Sequence, residues 1–205
     1  MKPIWFDEFV NSATARQEAW RRAFSGTAGW TGAVPNQGHH AIARLLEAGQ
    51  AELVITQNVD NLHQDAGAPT DKVIELHGNA SFAACLECRT RYELHDLRAR
   101  WEEGALDMIC DACGGLIKTA VISFGQPLPE HAYQRAKQAA LASDLFLVLG
   151  SSLVVYPAAS LPALAKAAGA GLVIVNRDAT KRDADADLVV RDEIGPFMSE
   201  VLRQL

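Results

Sequence analysis

The four cysteines of this chain fall in two identical pairs, Cys85-x2-Cys88 and Cys110-x2-Cys113, with residues 89–109 between them and Gly114-Gly115 directly after. Two residues between cysteines let one tight turn present both thiolates to a tetrahedral ion, and two such knuckles close a four-sulfur cage. A cage of four thiolates leaves no open position for a substrate. The spacing therefore predicts structural zinc that holds its own segment together and takes no part in catalysis. A redox pair or buried free thiols is the plainer alternative. Because Met1-Lys2-Pro3-Ile4-Trp5 leads into no apolar export segment, metal binding outranks disulfides.

Other residues suited to chemistry stand at the ends of short apolar runs. Thr56-Gln57-Asn58-Val59-Asp60-Asn61-Leu62-His63 follows Leu53-Val54-Ile55, and Glu75-Leu76-His77-Gly78-Asn79 contains the next run's exit. Imidazole is the side chain best suited to take a proton near neutral pH, and Gly78 lets backbone or ligand come close. Each motif has an alternative: Asp60 or Asn61 capping a helix, and His77 as a hydrogen-bonded structural histidine. His63 has a helical position that favours packing. Further exits are Ser123-Phe124-Gly125-Gln126, Gly150-Ser151-Ser152-Leu153 and Asn176-Arg177-Asp178. Small residues after a strand leave backbone N–H groups for phosphate, and an amide or carboxylate suits a ribose. Five polar exits on one edge predict a nucleotide-sized ligand.

The elements that must position these residues are legible in outline. Residues 6–24 have helical spacing, 25–38 form a Gly- and Thr-rich loop, and a second helix begins near His39 and stops at Gly49. The runs 53–55, 73–76, 120–122, 145–149, 172–175 and 188–190 are continuous enough for strands buried on both faces of a parallel sheet. Helical stretches at 131–143 and 157–168 alternate with them. The predicted fold is a doubly wound, Rossmann-like α/β sheet, mostly parallel, interrupted by a small zinc-ribbon module. Residues 1–84 and 114–205 are expected to form the nucleotide-binding domain and 85–113 the metal-binding insertion. With 205 residues, 49% of them hydrophobic, the chain can bury an ordinary core. Its formal charge of -6 disfavours nucleic acid, and Arg16, Arg21 and Arg22 are spaced along a helix as a solvated face. No apolar stretch reaches the roughly 18 residues of a membrane span.

Taken in order, the segments resemble the sirtuins: Pro35-Asn36 with His39, Thr56-Gln57-Asn58-Val59-Asp60, Leu76-His77-Gly78, the two cysteine pairs, Ile122-Ser123-Phe124-Gly125, Gly150-Ser151-Ser152-Leu153 and Val175-Asn176. The likeness runs from roughly residue 15 to the end. It implies an enzyme that breaks the nicotinamide-ribose bond of NAD and moves an acyl group from a protein or peptide lysine to ADP-ribose; the lack of an apolar span or export segment is what makes the cytoplasm its expected place. His77 would be the general base acting through the ribose hydroxyls. Asn58 would contact the nicotinamide ribose and Asp60 the nicotinamide amide, with Gln57 and Val59 in the same pocket. Gly150, Ser151 and Ser152 would meet the phosphates and adenosine side, and Asn176, with Arg177 and Asp178, the adenosine ribose. Phe124 and Gly125, with Val154 opposite, would line the acyl-lysine channel.

Sirtuins normally open with a strand, a Gly-Ala-Gly phosphate loop and a Ser-Gly-Ile-Pro-Asp-Phe-Arg stretch, and none of these is found here. The expectation is an incomplete cofactor domain whose first strand is missing. The alternative that follows is a truncated, non-catalytic zinc-ribbon module that binds a nucleotide or protein partner.

Overall fold

The computed structural model describes residues 2–25 and 32–204; part of the loop expected before the second helix, residues 26–31, lies outside them. In chain order the elements are α1 (Phe6–Asn11), α2 (Ala13–Phe24), α3 (Gln37–Glu47), β1 (Val54–Thr56), α4 (Leu62–Asp65), β2 (Val73–Glu75), β3 (Gly78–Cys85), β4 (Arg91–Glu93), α5 (Leu94–Glu102), β5 (Ile117–Val121), α6 (Glu130–Ala142), β6 (Leu145–Leu149), α7 (Leu161–Ala167), β7 (Gly171–Val175), β8 (Leu188–Val190) and α8 (Ile194–Gln204). They fall into two compact units. One comprises Met1–Ala33, Gln57–Asn61 and His77–Leu128, the other Val34–Thr56, Leu62–Leu76 and Pro129–Leu205.

The second unit carries the parallel strands that the alternating pattern predicted. β1 pairs with β2, Val54 facing Val73 and Thr56 facing Glu75. β7 lies between β6 and β8, with Leu149 facing Val175 and Val175 facing Val190. Small side chains let α6 and α7 pack closely. Ala136, Ala140, Ala158, Leu161 and Ala165 share one core cluster with Ile74 and Leu76, and Ile55 and Phe146 pack against it. Val148, Leu172 and Ile174 form another cluster with Leu153 and Ala159. Burial on both faces holds best for β7; the outer strands start with Leu145, 60% exposed, and Leu188, 52% exposed. α3 starts at Gln37, two residues before the expected position, because the Asn36 side chain accepts the His39 N–H at 3.2 Å. Gly49, at φ +71, follows its end as expected. α8 was not foreseen, since Gly195-Pro196 near its start reads as a turn, although proline is tolerated in a first helical turn.

The first unit is built on an antiparallel sheet, β4-β3-β5. The run at 120–122 was expected in the parallel sheet, but its strand spans Ile117–Val121 and pairs antiparallel with β3, Ile117 facing Cys85 and Thr119 facing Ala83. An apolar run fixes a strand and says nothing of its direction. The expected helix at 6–24 is two helices. Ser12 adopts φ -127 and ψ 115, and its hydroxyl accepts the Ala15 N–H at 3.2 Å, starting α2 afresh. Arg16 locks the joint by donating to the Phe9 and Val10 carbonyls at 3.3 and 3.0 Å and to both Asp107 oxygens at 2.7 and 3.2 Å. From α2, Trp20 and Phe24 enter a core with Ala83, Leu97, Met108 and Ile117 that also takes in Cys85 and Cys110. Among the described residues no helix is long and apolar enough to cross a membrane.

Lys118, on β5, is 5% exposed. Its ammonium donates to the carbonyls of Val121 and Thr119, close to the register shift between β3 and β5, and stands 5.9 Å from the Phe9 ring centre. Desolvation lowers its pKa to about 8, so keeping the proton at neutral pH costs about 3 kcal/mol. The unfolded lysine holds its proton up to about 10.5 and the folded one only to about 8. Between those values the unfolded state binds more protons, and this group's contribution to stability rises with pH. Urea unfolding at pH 7 and pH 10 should show wild type gaining on Lys118→Met by up to about 3 kcal/mol; an unchanged difference would mean that the lysine is not desolvated.

Candidate active site and metal centre

Residues 57–61 run beside residues 77–80 and are stitched to them. His77 Nδ1 lies 3.0 Å from the Gln57 carbonyl oxygen, the Ala80 N–H donates to the Val59 carbonyl at 2.7 Å, and Asn79 Nδ2 donates to Asn61 Oδ1 at 2.9 Å. Asn79 is 3% exposed, and its Oδ1 also accepts the Ser81 N–H at 2.7 Å. Asn61 takes φ +64, which asparagine tolerates better than most residues. The cluster predicted from sequence is thus brought together in one unit: Gln57, Asn58, Val59 and Asp60 on one segment and His77 on the other. Asn58 is exposed, Asp60 is partly buried, and the ring of His77 is partly buried.

A carbonyl oxygen only accepts, so the contact between His77 and Gln57 assigns the proton to Nδ1 and leaves Nε2 with a free lone pair. That is the form a general base needs. The backbone beyond it is fixed as well. Gly78 has φ +74, a Cβ there would overlap the Ala120 carbonyl oxygen, and the Ile122 N–H donates to the His77 carbonyl at 2.8 Å. His63 is packed as expected, 9% exposed with its ring centre 5.0 Å from that of His39.

In the second unit, Gly150 and Asn176 stand at the carboxyl ends of β6 and β7, and the Gly150 N–H donates to the Val175 carbonyl at 2.9 Å. Gly150 has φ +62, and Ile194 fills the space its missing side chain leaves. Ser151 accepts the Leu153 N–H at 3.3 Å; Ser152 is exposed. Asn176 Nδ2 is turned onto the Asp178 carbonyl at 2.8 Å, and the exposed Arg177 lies 3.6 Å from Glu193. Of the five exits, four leave parallel strands. Ser123-Phe124-Gly125 leaves antiparallel β5 instead.

Phe124 is 60% exposed in the first unit, and Val154 is 51% exposed in the second. Trp5, which the sequence did not single out, packs on Phe124 at 5.9 Å between ring centres and borders Gly125, while the Phe6 N–H donates to the Phe124 carbonyl at 2.9 Å. The separation in sequence hid this contact.

The four cysteine sulfurs lie within 4.8 Å of one another, Cys85 with Cys113 at 3.4 Å and Cys88 with Cys110 at 3.5 Å. Zinc–sulfur bonds of about 2.3 Å give a tetrahedral edge of about 3.8 Å, so the donor set fits zinc. Thr90, through its hydroxyl and N–H, holds the Cys88 thiol down to about 6. At Cys113 the Gly115 N–H acts downward, but the neighbouring sulfurs of Cys88 and Cys85, with burial, push the thiol up to about 12. Four thiolates cannot crowd together unless a cation shares their charge.

Residues 3–157 match the Sir2 family model. A protein of Bradyrhizobium diazoefficiens named NAD-dependent protein deacetylase 1 is 49% identical over 194 residues, 95% of this chain and 76% of its own length. The NAD-dependent protein deacetylase of Rhodopseudomonas palustris is 48% identical over 194 residues, 95% of this chain and 77% of its own. Among solved structures, a Sir2 protein with a p53 peptide and NAD+ superimposes with a TM-score of 0.86 at 38% identity, covering 98% of this chain and 81% of that one. Another, bound to acetylated peptide, gives 0.88 at 38% identity, covering 98% and 82%. The family model, the relatives and the fold agree, and the chain belongs to the Sir2 family.

Proposed function

We propose that this chain is an NAD-dependent protein-lysine deacylase, which releases nicotinamide and passes the acyl group of a lysine in a protein or peptide to ADP-ribose. The observation that carries this reading is the pairing of residues 57–61 with 77–80, which sets His77 with a free Nε2 beside Asn58 and Asp60. The deacetylase names of the relatives at 49% and 48% identity support it, and so do the NAD and acetylated peptide bound by the related solved proteins. These comparisons favour the enzyme over the non-catalytic module.

On this reading NAD supplies the bond that breaks, between nicotinamide and ribose. His77 Nε2 takes the proton of a ribose hydroxyl, and its Nδ1–H stays on the Gln57 carbonyl so that the ring keeps its orientation as it becomes charged. Asp60 accepts from the nicotinamide amide and fixes which way it points, Asn58 contacts the adjoining ribose, and Gln57 and Val59 line the pocket. Gly150, Ser151 and Ser152 take the phosphate and adenosine side, and Asn176, with Arg177 and Asp178, the adenosine ribose. Phe124, Gly125 and Val154 take the acyl-lysine peptide through backbone hydrogen bonds and apolar contact. The zinc held by Cys85, Cys88, Cys110 and Cys113 belongs to an insertion at 85–113 within a nucleotide-binding domain of 1–84 and 114–205. We assign the activity to the cytoplasm, where paired thiols stay reduced for metal.

Nicotinamide release from NAD should depend on an acetylated peptide. His77→Ala should lower its rate at least about 100-fold while peptide and NAD still bind; turnover at the wild-type rate in that variant would remove His77 from the chemistry. One zinc ion per chain is expected. Stripping it with a chelator should lower the melting temperature by roughly 10 °C or more and abolish release, whereas a metal-free protein that melts and turns over as before would show the cage to be dispensable.

A further inference from the structure

Tyr92 lies on β4, just beyond the first cysteine knuckle, yet its hydroxyl reaches the second. The phenolic oxygen is 3.1 Å from Cys110 Sγ and 3.1 Å from the Asp111 nitrogen. A phenol has one proton and two lone pairs. The Asp111 N–H occupies a lone pair, so the proton goes to the sulfur, which accepts far better as the thiolate that a metal requires. Arg100 of α5 braces the arrangement. Its guanidinium lies 5.7 Å from the Tyr92 ring centre and pairs with the Asp111 carboxylate at 3.3 and 2.5 Å. A strand, a helix and a knuckle are thereby joined at the residue next to a metal ligand. Cys110 is 2% exposed, so no water need compete for this bond. Cys88, which is exposed, has the Thr90 hydroxyl 3.1 Å from its sulfur.

We propose that Tyr92 is a metal-positioning residue: its hydroxyl donates to the Cys110 thiolate and holds the second knuckle in the geometry of the closed cage, so that zinc leaves slowly. This rests on the zinc reading above and extends it to a residue outside the cage. A hydrogen bond draws charge from the sulfur and orients its lone pairs, and loss of such outer partners typically costs 10- to 100-fold in metal affinity. Packing alone would be served equally well by phenylalanine, because Tyr92 already borders the core of Leu97 and Met108.

The test is Tyr92→Phe in the full chain, loaded with zinc and then with cobalt(II). Zinc transfer to a chromogenic chelator should be about 10- to 100-fold faster than in wild type, while the metal-free forms melt together. In the cobalt protein the sulfur-to-metal charge-transfer band should move to lower energy, since a thiolate relieved of a hydrogen bond gives up its electrons more readily. Equal zinc transfer and an unmoved band would overturn the proposal, as would a metal-free variant that melts well below metal-free wild type, which would mean that the hydroxyl serves the fold itself, through the Asp111 N–H, rather than the metal. Wild type that takes up no zinc would instead overturn the cage itself.

Discussion

At Gly78 the main chain turns with φ +74 and passes β5 so closely that the carbonyl oxygen of Ala120 occupies the place of a side chain. Any Cβ would force the strands apart and carry His77 with them. On one side of the glycine the His77 carbonyl accepts the Ile122 N–H, and the His77 ring meets the Gln57 carbonyl; on the other, Asn79 and Ala80 hold residues 59–61. The position of His77 and the course of the segment bearing Asn58 and Asp60 follow from one backbone approach. Such sites keep their geometry because main-chain groups, which have no rotamers to lose, do the holding.

The same strand links this site to the metal. β3 begins at Gly78 and ends at Cys85, a span of roughly 23 Å. Its far end enters the core of Trp20, Phe24, Leu97, Met108 and Ile117 together with two of the four sulfurs, Cys85 and Cys110. A closed cage offers zinc no catalytic position, but its ligand Cys85 faces Ile117 in the register of β3 on β5, so a metal held there would pin that register. A metal in the cage would thus support His77 through the strand rather than through chemistry.

How much of this was legible in the sequence depended on the range over which each feature is decided. The cage could be read because its two knuckles are each set by a four-residue turn, and β6, β7 and β8 because an apolar run marks a buried strand within a residue or so. Features set by distant partners could not. The direction of β5 depends on β3, and β3 itself, Gly78–Cys85, has none of the β-branched residues that announce a strand. The break at Ser12 is secured by Arg16 gripping Asp107, and Trp5 finds Phe124 across most of the first unit's sequence. Within the site, residue types and order suggested His77, Asn58 and Asp60, whereas the stitching by Asn79 and the Gln57 carbonyl joins residues 18 and 20 positions apart and leaves no local signal.

The account stands or falls on the protonation of one imidazole. Nitrogen-15 NMR of histidine-labelled protein, with the His77 signals assigned by comparison with His77→Ala, reports which ring nitrogen carries the proton in the neutral form. The account predicts the proton on Nδ1, facing Gln57, and a bare Nε2. A neutral His77 protonated at Nε2 would contradict it, because the nitrogen meant to accept the ribose proton would already be occupied.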